Sequence, residues 1–80
     1  MQIMDKNQAR ADRKQFRREL GTHLAQVRTE CGLSVSDVSV LLNRNGYYLE
    51  QLEKGKGDLW IHTLHFLSLI YHKKLVIRLE

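Results

Sequence analysis

Apolar residues in this chain fall into four stretches spaced at three and four residues, then a fifth that alternates. In the first, Phe16, Leu20, Leu24, Val27 and Cys31 form one stripe, which predicts a long amphipathic helix from Ala11 onward. The opposite side is expected to carry Arg13, Lys14, Arg17, Arg18 and Glu19. Gly21 falls inside this stretch and costs a helix about 1 kcal/mol relative to alanine. The helix should end near Cys31-Gly32, because glycine suits the left-handed residue after a helix. Residues 1–10 are polar and aperiodic, and read as a flexible N-terminal segment.

The sharpest local signal is Leu33-Ser34-Val35-Ser36-Asp37-Val38. Ser34 can accept from the backbone N–H of Asp37 while the Asp37 carboxylate accepts from that of Ser34, with Leu33 and Val38 as a hydrophobic staple. A short helix follows, apolar at Val35, Val38, Leu41 and Leu42, and stops at Asn43-Arg44-Asn45-Gly46. Asn43 tolerates a left-handed backbone, and Asn45 can cap what comes next. A third helix is expected from Gly46 to Lys54 with Leu49 and Leu52 inward, broken by Gly55-Lys56-Gly57-Asp58. A fourth runs over 61–71, with Leu64, Leu67, Ile70 and Tyr71 inward. Residues 74–80 alternate, so Leu75, Ile77 and Leu79 would share one face of a strand.

Two short helices joined by about four residues, the second opening on polar residues, make a helix-turn-helix pattern. Here the chain resembles the Cro/repressor (XRE-like) family of bacterial and phage regulators. The resemblance rests on Leu33-Ser34-Val35-Ser36-Asp37-Val38-Ser39, Leu42, and Leu49-Glu50-Gln51-Leu52-Glu53-Lys54-Gly55-Lys56, and covers about residues 20 to 70. It implies an all-α, repressor-like bundle of four helices with a C-terminal β-strand for dimerisation. It also implies an ion pair between Arg28 and Glu53, the glutamate that ends the recognition helix. In the family a small residue, usually alanine, stands where Ser39 is here; the departures are Asn43 for a glycine, Arg44 for an apolar residue, Val35 for a glutamine, and a recognition helix that opens on Gly46-Tyr47-Tyr48, poorer in polar base-readers than usual. The fourth helix followed by an apolar strand is similar to HipB-type antitoxins, which implies a toxin partner.

Composition sharpens this reading in one respect. Eighty residues make one domain, and a formal charge of +4 gives a field attractive to polyanions, nucleic acid above all. The division expected is a segment 1–10, a DNA-binding domain 11–73 and a dimerisation strand 74–80. A lone cysteine, Cys31, fits a reducing cytosol, and no apolar run is long enough to span a bilayer, so the expected location is the cytoplasm. No nucleophile–base arrangement, paired carboxylates or phosphate loop stands out, which argues against an enzyme, and no cofactor is implied. His62 and His65 are three apart on a helix but lack a second ligand pair, so no metal is expected.

The functional expectation is a sequence-specific DNA-binding transcriptional regulator, a repressor acting as a homodimer on double-stranded DNA. Tyr47, Gln51 and Glu50 lie away from Leu49 and Leu52, where a helix in the major groove meets base edges. Tyr48 reads equally as core or contact. Arg44, Asn45, Lys54 and Lys56 flank that helix and suit phosphates, against the plainer reading of a basic loop kept for solubility. The run Arg10, Arg13, Lys14, Arg17 and Arg18 can follow a DNA backbone, dock a partner, or be no more than a solvated face. The strand's only available partner is the same strand of a second copy, which makes Leu75, Ile77 and Leu79 the expected dimer interface. The rival reading is a protein-interaction module on a helix-turn-helix scaffold, with no DNA binding and with the tyrosines as anchors.

Overall fold

Each of the first three helices starts where a side chain satisfies an otherwise free backbone N–H. The computed structural model describes residues 5–80. Helix α1 (Lys6–Glu30) is capped by Asp5, whose carboxylate accepts from the Gln8 N–H at 2.7 Å. Helix α2 (Val35–Leu42) carries the full reciprocal box: Asp37 N–H to Ser34 Oγ at 3.0 Å and Ser34 N–H to Asp37 Oδ2 at 2.9 Å. Helix α3 (Gly46–Glu53) begins at Asn45, which accepts from the Tyr48 N–H at 3.1 Å. Helix α4 (Ile61–Ile70) follows Trp60 with no side-chain cap. Such caps are typically worth about 1 kcal/mol each.

The core is one cluster of Leu24, Val38, Leu49, Leu67 and Tyr71, ringed by apolar residues that include Leu20, Val27, Leu33, Leu42, Leu64 and Ile70. Val38, Leu49 and Leu67 are wholly buried, one from each of the last three helices, and each contributes roughly 1.5–3 kcal/mol. Helix α3 packs against both α1 and α2, and α4 packs on α2. The chain is all-helical among the described residues, with four helices. No described helix is long and apolar enough to cross a membrane.

Five expectations need correcting. Helix α1 starts at Lys6, so residues 6–10 of the expected flexible segment are helical; residues 1–4 lie outside the described part. The basic residues do not stand opposite the apolar stripe but beside it: Arg17 is half-buried and donates to the Gly57 carbonyl. Phe16 is 64% exposed, because it stands on the rim of an open cleft of about 330 Å³, also lined by Trp60, instead of in the core. Cys31 and Leu41 are exposed as well. Residues 74–80 form no strand, since a lone segment has no second backbone to bond; Leu75 is half-buried, while Ile77 and Leu79 are 59% and 99% exposed.

Tyr71 closes α4 and is 3% exposed, with no hydrogen-bond partner for its hydroxyl among the described residues. Burial first, and the Glu53 carboxylate second, push its pKa up to about 12 from the usual 10. A raised folded-state pKa means a stabilising contribution present below pH 10 and lost as pH rises through about 12. Melting temperature should therefore fall between pH 10 and 12, and Tyr71→Phe should flatten that fall while leaving neutral-pH stability nearly unchanged. Equal alkaline losses in both proteins would contradict this.

Candidate nucleic-acid interface

The geometry of α2 and α3 follows from the turn between them. Asn43 adopts φ 56 and ψ 41, the left-handed conformation that asparagine tolerates, and ends α2. The N–H of Arg44 returns to the Ser39 carbonyl at 3.0 Å, and Asn45 opens α3 immediately afterwards. Three residues thus join α2 to α3, and buried Val38 and Leu49 bring the two helices together in one core cluster. Ser39, 4% exposed, is buried beside this turn, and its hydroxyl has no hydrogen-bond partner among the described residues.

Arg44 has a specific role in the turn. Its guanidinium carbon lies 3.8 Å from the centroid of the Tyr48 ring, a cation–π contact worth about 0.5–1 kcal/mol at an exposed site. Tyr48 in turn is half-buried, with its hydroxyl donating to the Asp58 carbonyl at 3.4 Å. The arginine and the tyrosine therefore pack on each other across the start of α3. This resolves Tyr48 as a packing residue and sets a fixed positive charge beside the start of α3. The signal was present in the chain as a cation and an aromatic four residues apart across a cap.

On the outer flank of α3, Tyr47 is 68% exposed and Glu50 is exposed. Gln51 is half-buried where α3 meets the following loop, and its carbonyl accepts from the Lys56 N–H at 2.8 Å. Asn45 is exposed, though its Oδ1 is occupied as a cap, which leaves its amide N–H groups to donate. Lys54, the C-cap of α3, and Lys56 two residues on are both exposed. The structure thus gathers Tyr47, Glu50, Gln51, Arg44, Asn45, Lys54 and Lys56 on or next to one short helix. Leu75, Ile77 and Leu79 belong to a separate C-terminal segment.

The far end of α3 is anchored by a fork. Arg28 Nε and Nη2 donate to the two Glu53 carboxylate oxygens at 2.8 and 3.0 Å, and Nη1 donates to the Leu33 carbonyl at 2.9 Å. The side chains are 17% and 9% exposed, and hydrogen bonding to Glu53 raises the Arg28 pKa further. One side chain thereby joins α1, the chain just before α2 and the end of α3. It also compensates one of the two carboxylates of α3, leaving Glu50 as its exposed negative charge.

Sequence reasoning missed how the loop after α3 is seated. Gly55 has φ 80 and lies so close to α1 that a Cβ there would meet the Arg18 backbone at 2.8 Å. Arg17 fixes the same loop through the Gly57 carbonyl. His62 stacks on Trp60, with ring centroids 6.4 Å apart, rather than pairing with His65. No protein-family model matches this chain, and no curated protein and no solved structure matches it either.

Proposed function

We propose that this chain is a sequence-specific DNA-binding regulator of the repressor type, laying α3 in the major groove. The observation that carries the reading is the flank of α3. A helix held at both ends, by the Arg44–Asn45 turn and by the Arg28–Glu53 fork, presents Tyr47 and Glu50 outward, with half-buried Gln51 beside them at the edge of the following loop. Rigid support of this kind is what base reading requires, since a displaced helix loses its hydrogen bonds to base edges. In this reading Gln51 makes a bidentate contact to adenine, Tyr47 packs on a thymine methyl, and Glu50 accepts from cytosine N4. Arg44, Asn45, Lys54 and Lys56 hold phosphates, which supply affinity without sequence information.

The active form in this proposal is a homodimer. Val76, Ile77 and Leu79 are all more than half exposed, and pairing residues 74–80 with the same segment of a second copy would cover Leu75, Ile77 and Leu79 while satisfying the backbone. Two copies of α3 would then address half-sites about 34 Å apart.

Binding to a random 30-base-pair duplex between 50 and 300 mM salt tests the reading, followed by site selection and light scattering. Affinity should fall steeply with salt, and the mass should be that of two chains. Gln51→Ala should weaken the selected site by about 1–3 kcal/mol and random DNA hardly at all, whereas Lys56→Ala should weaken both equally. Absence of binding at 50 mM salt would overturn the proposal. It would favour the protein-interaction reading, to which exposed Val40, Leu41 and Tyr47 also lend themselves.

A further inference from the structure

The positive charge of this chain is not spread over it. Between Lys6 and Leu20 there are six Lys or Arg residues and two acidic ones, while the remainder holds seven of each. The whole formal surplus of +4 therefore sits on the first half of α1, and the rest of the chain, α3 included, is balanced.

The arrangement is a stripe. Lys6, Arg10, Arg13, Lys14, Arg17 and Arg18 follow one another at spacings of three and four or sit adjacent within it, whereas Asp12 and Glu19 share a different face with Gln8, Gln15 and Gln26. Among the described residues the ion pairs are Arg28–Glu53 and Arg78–Glu80, so none of the six basic residues is matched by a carboxylate. The placement works against the isolated helix. Like charges one turn apart destabilise it by roughly 0.2–0.5 kcal/mol per pair, and cations in a first turn oppose its dipole. The first turn of α1 has no acidic residue of its own, and the Asp5 cap is the one carboxylate at this end of the helix among the described residues.

The stripe also has a defined position. Its C-terminal end, at Arg17 and Arg18, is where the loop bearing Lys54 and Lys56 is fixed, through the Gly57 carbonyl and the close approach of Gly55. N-terminal to Phe16 every described residue of α1 is exposed, Arg10, Arg13 and Lys14 among them, on a helix that contributes to a molecule 44 Å long and only 25 by 20 Å across. From Lys6 to Arg18 the stripe runs about 18 Å, the length of roughly five base pairs of duplex.

We infer that the first half of α1 is a phosphate-tracking arm, which extends the DNA contact of α3 and its basic loop along the backbone of the same duplex. The inference rests on the DNA-binding reading above. The arm supplies most of the electrostatic affinity, because the body it extends from is neutral, and α3 with its flanking residues supplies the choice of site. Phosphates also relieve the repulsion among the six cations, so the arm gains helical order on binding.

The test compares two triple variants of the full chain that lower the formal charge equally. One is Arg10→Gln, Arg13→Gln and Lys14→Gln on the stripe; the other is Gln8→Glu, Gln15→Glu and Gln26→Glu on the acidic face of the same helix. All six positions are exposed, so both variants should fold, which circular dichroism checks. On a 30-base-pair duplex the stripe variant should lose about three from the slope of log affinity against log salt per protomer, and on the order of several hundredfold in affinity near 100 mM salt. The acidic-face variant should keep the wild-type slope. Hydrogen exchange over residues 6–16 should slow when duplex is added to the wild type. Equal losses in both variants would mean a net-charge effect and overturn the arm. An unchanged stripe variant, with Lys56→Ala still weakening binding, would overturn the arm and leave the DNA reading standing. A wild type that fails to bind duplex at 50 mM salt would remove both.

Discussion

Replacing Arg28 with alanine is expected to lower stability by about 3–5 kcal/mol, on the order of 15 °C or more in melting temperature for a domain of this size. The loss is large because three acceptors depend on one guanidinium. Removing it leaves both oxygens of Glu53, whose side chain is 9% exposed, and the carbonyl of Leu33 without their donors. A carboxylate stranded in that position cannot regain its hydration, so the cost reflects an unpaired charge more than a lost attraction. Glu53→Ala should cost somewhat less, since Arg28 would keep the Leu33 carbonyl and has a longer reach to solvent. The double variant Arg28→Met with Glu53→Leu should recover much of the loss, but not the part due to Leu33. By contrast, Arg78 and Glu80 lie 3.5 Å apart with side chains 71% and 79% exposed, and Glu80→Ala should move the melting temperature by no more than about 2 °C. Thermal denaturation at neutral pH distinguishes these outcomes, and an Arg28→Ala protein as stable as Glu80→Ala would refute the buried fork. Because the fork also seats α3, Arg28→Ala should weaken DNA binding in the proposed reading even where the variant remains folded.

What the chain reveals without a structure is mostly local. Ser34, Asp37, Asn43 and Asn45 announce their own caps and turn, because each acts on backbone groups two to four residues away. The core positions of α3 and α4 are equally legible, since Leu49, Leu52, Leu67 and Tyr71 follow the helical period over a buried face. The period fails at the start of α1 for a physical reason. It records burial, and from Lys6 to Gln15 every residue of the helix is exposed among the described residues, so helical residues there leave no apolar stripe. Phe16, on the stripe by spacing, lies just past this overhang on the rim of an open cleft, and is exposed in fact. The tail fails the opposite way. Alternation between Leu75 and Leu79 is genuine, but a strand exists only with a partner, and one chain does not supply it.

Candidate functional residues were legible one by one, and their support was not. Tyr47 and Glu50 are exposed as their spacing implies. That Arg44 rests on Tyr48, and that Arg17 holds the loop of Lys56, depends on the path of the turn and on how α1 crosses the body. Those contacts join residues that spacing alone treats as independent, and they turn a scatter of cations into two groups. One lies at the start of α3; the other runs from the loop after α3 out along α1.

Gly21 shows the difference between a local cost and a tertiary requirement. By propensity, Gly21→Ala should stabilise α1 by about 1 kcal/mol, as Thr22→Ala on its exposed neighbour should by several tenths. The structure reverses the expectation at position 21. A Cβ there would lie 2.5 Å from the Leu52 carbonyl oxygen and 2.6 Å from that of Glu53, and both atoms are backbone at the end of α3. A side chain could rotate aside; the last turn of a helix cannot. Helices α1 and α3 would have to separate, and the Arg28–Glu53 fork spans that same contact. Overpacking costs typically 1–3 kcal/mol, and the immobility of the clashing atoms puts Gly21→Ala at the upper end, with a net loss of about 2 kcal/mol after the propensity gain. Melting temperature should drop by roughly 10 °C for Gly21→Ala and stay level or rise for Thr22→Ala. A rise in both would mean that α1 does not cross the end of α3 this closely, and the seating of the proposed recognition helix would have to be redrawn.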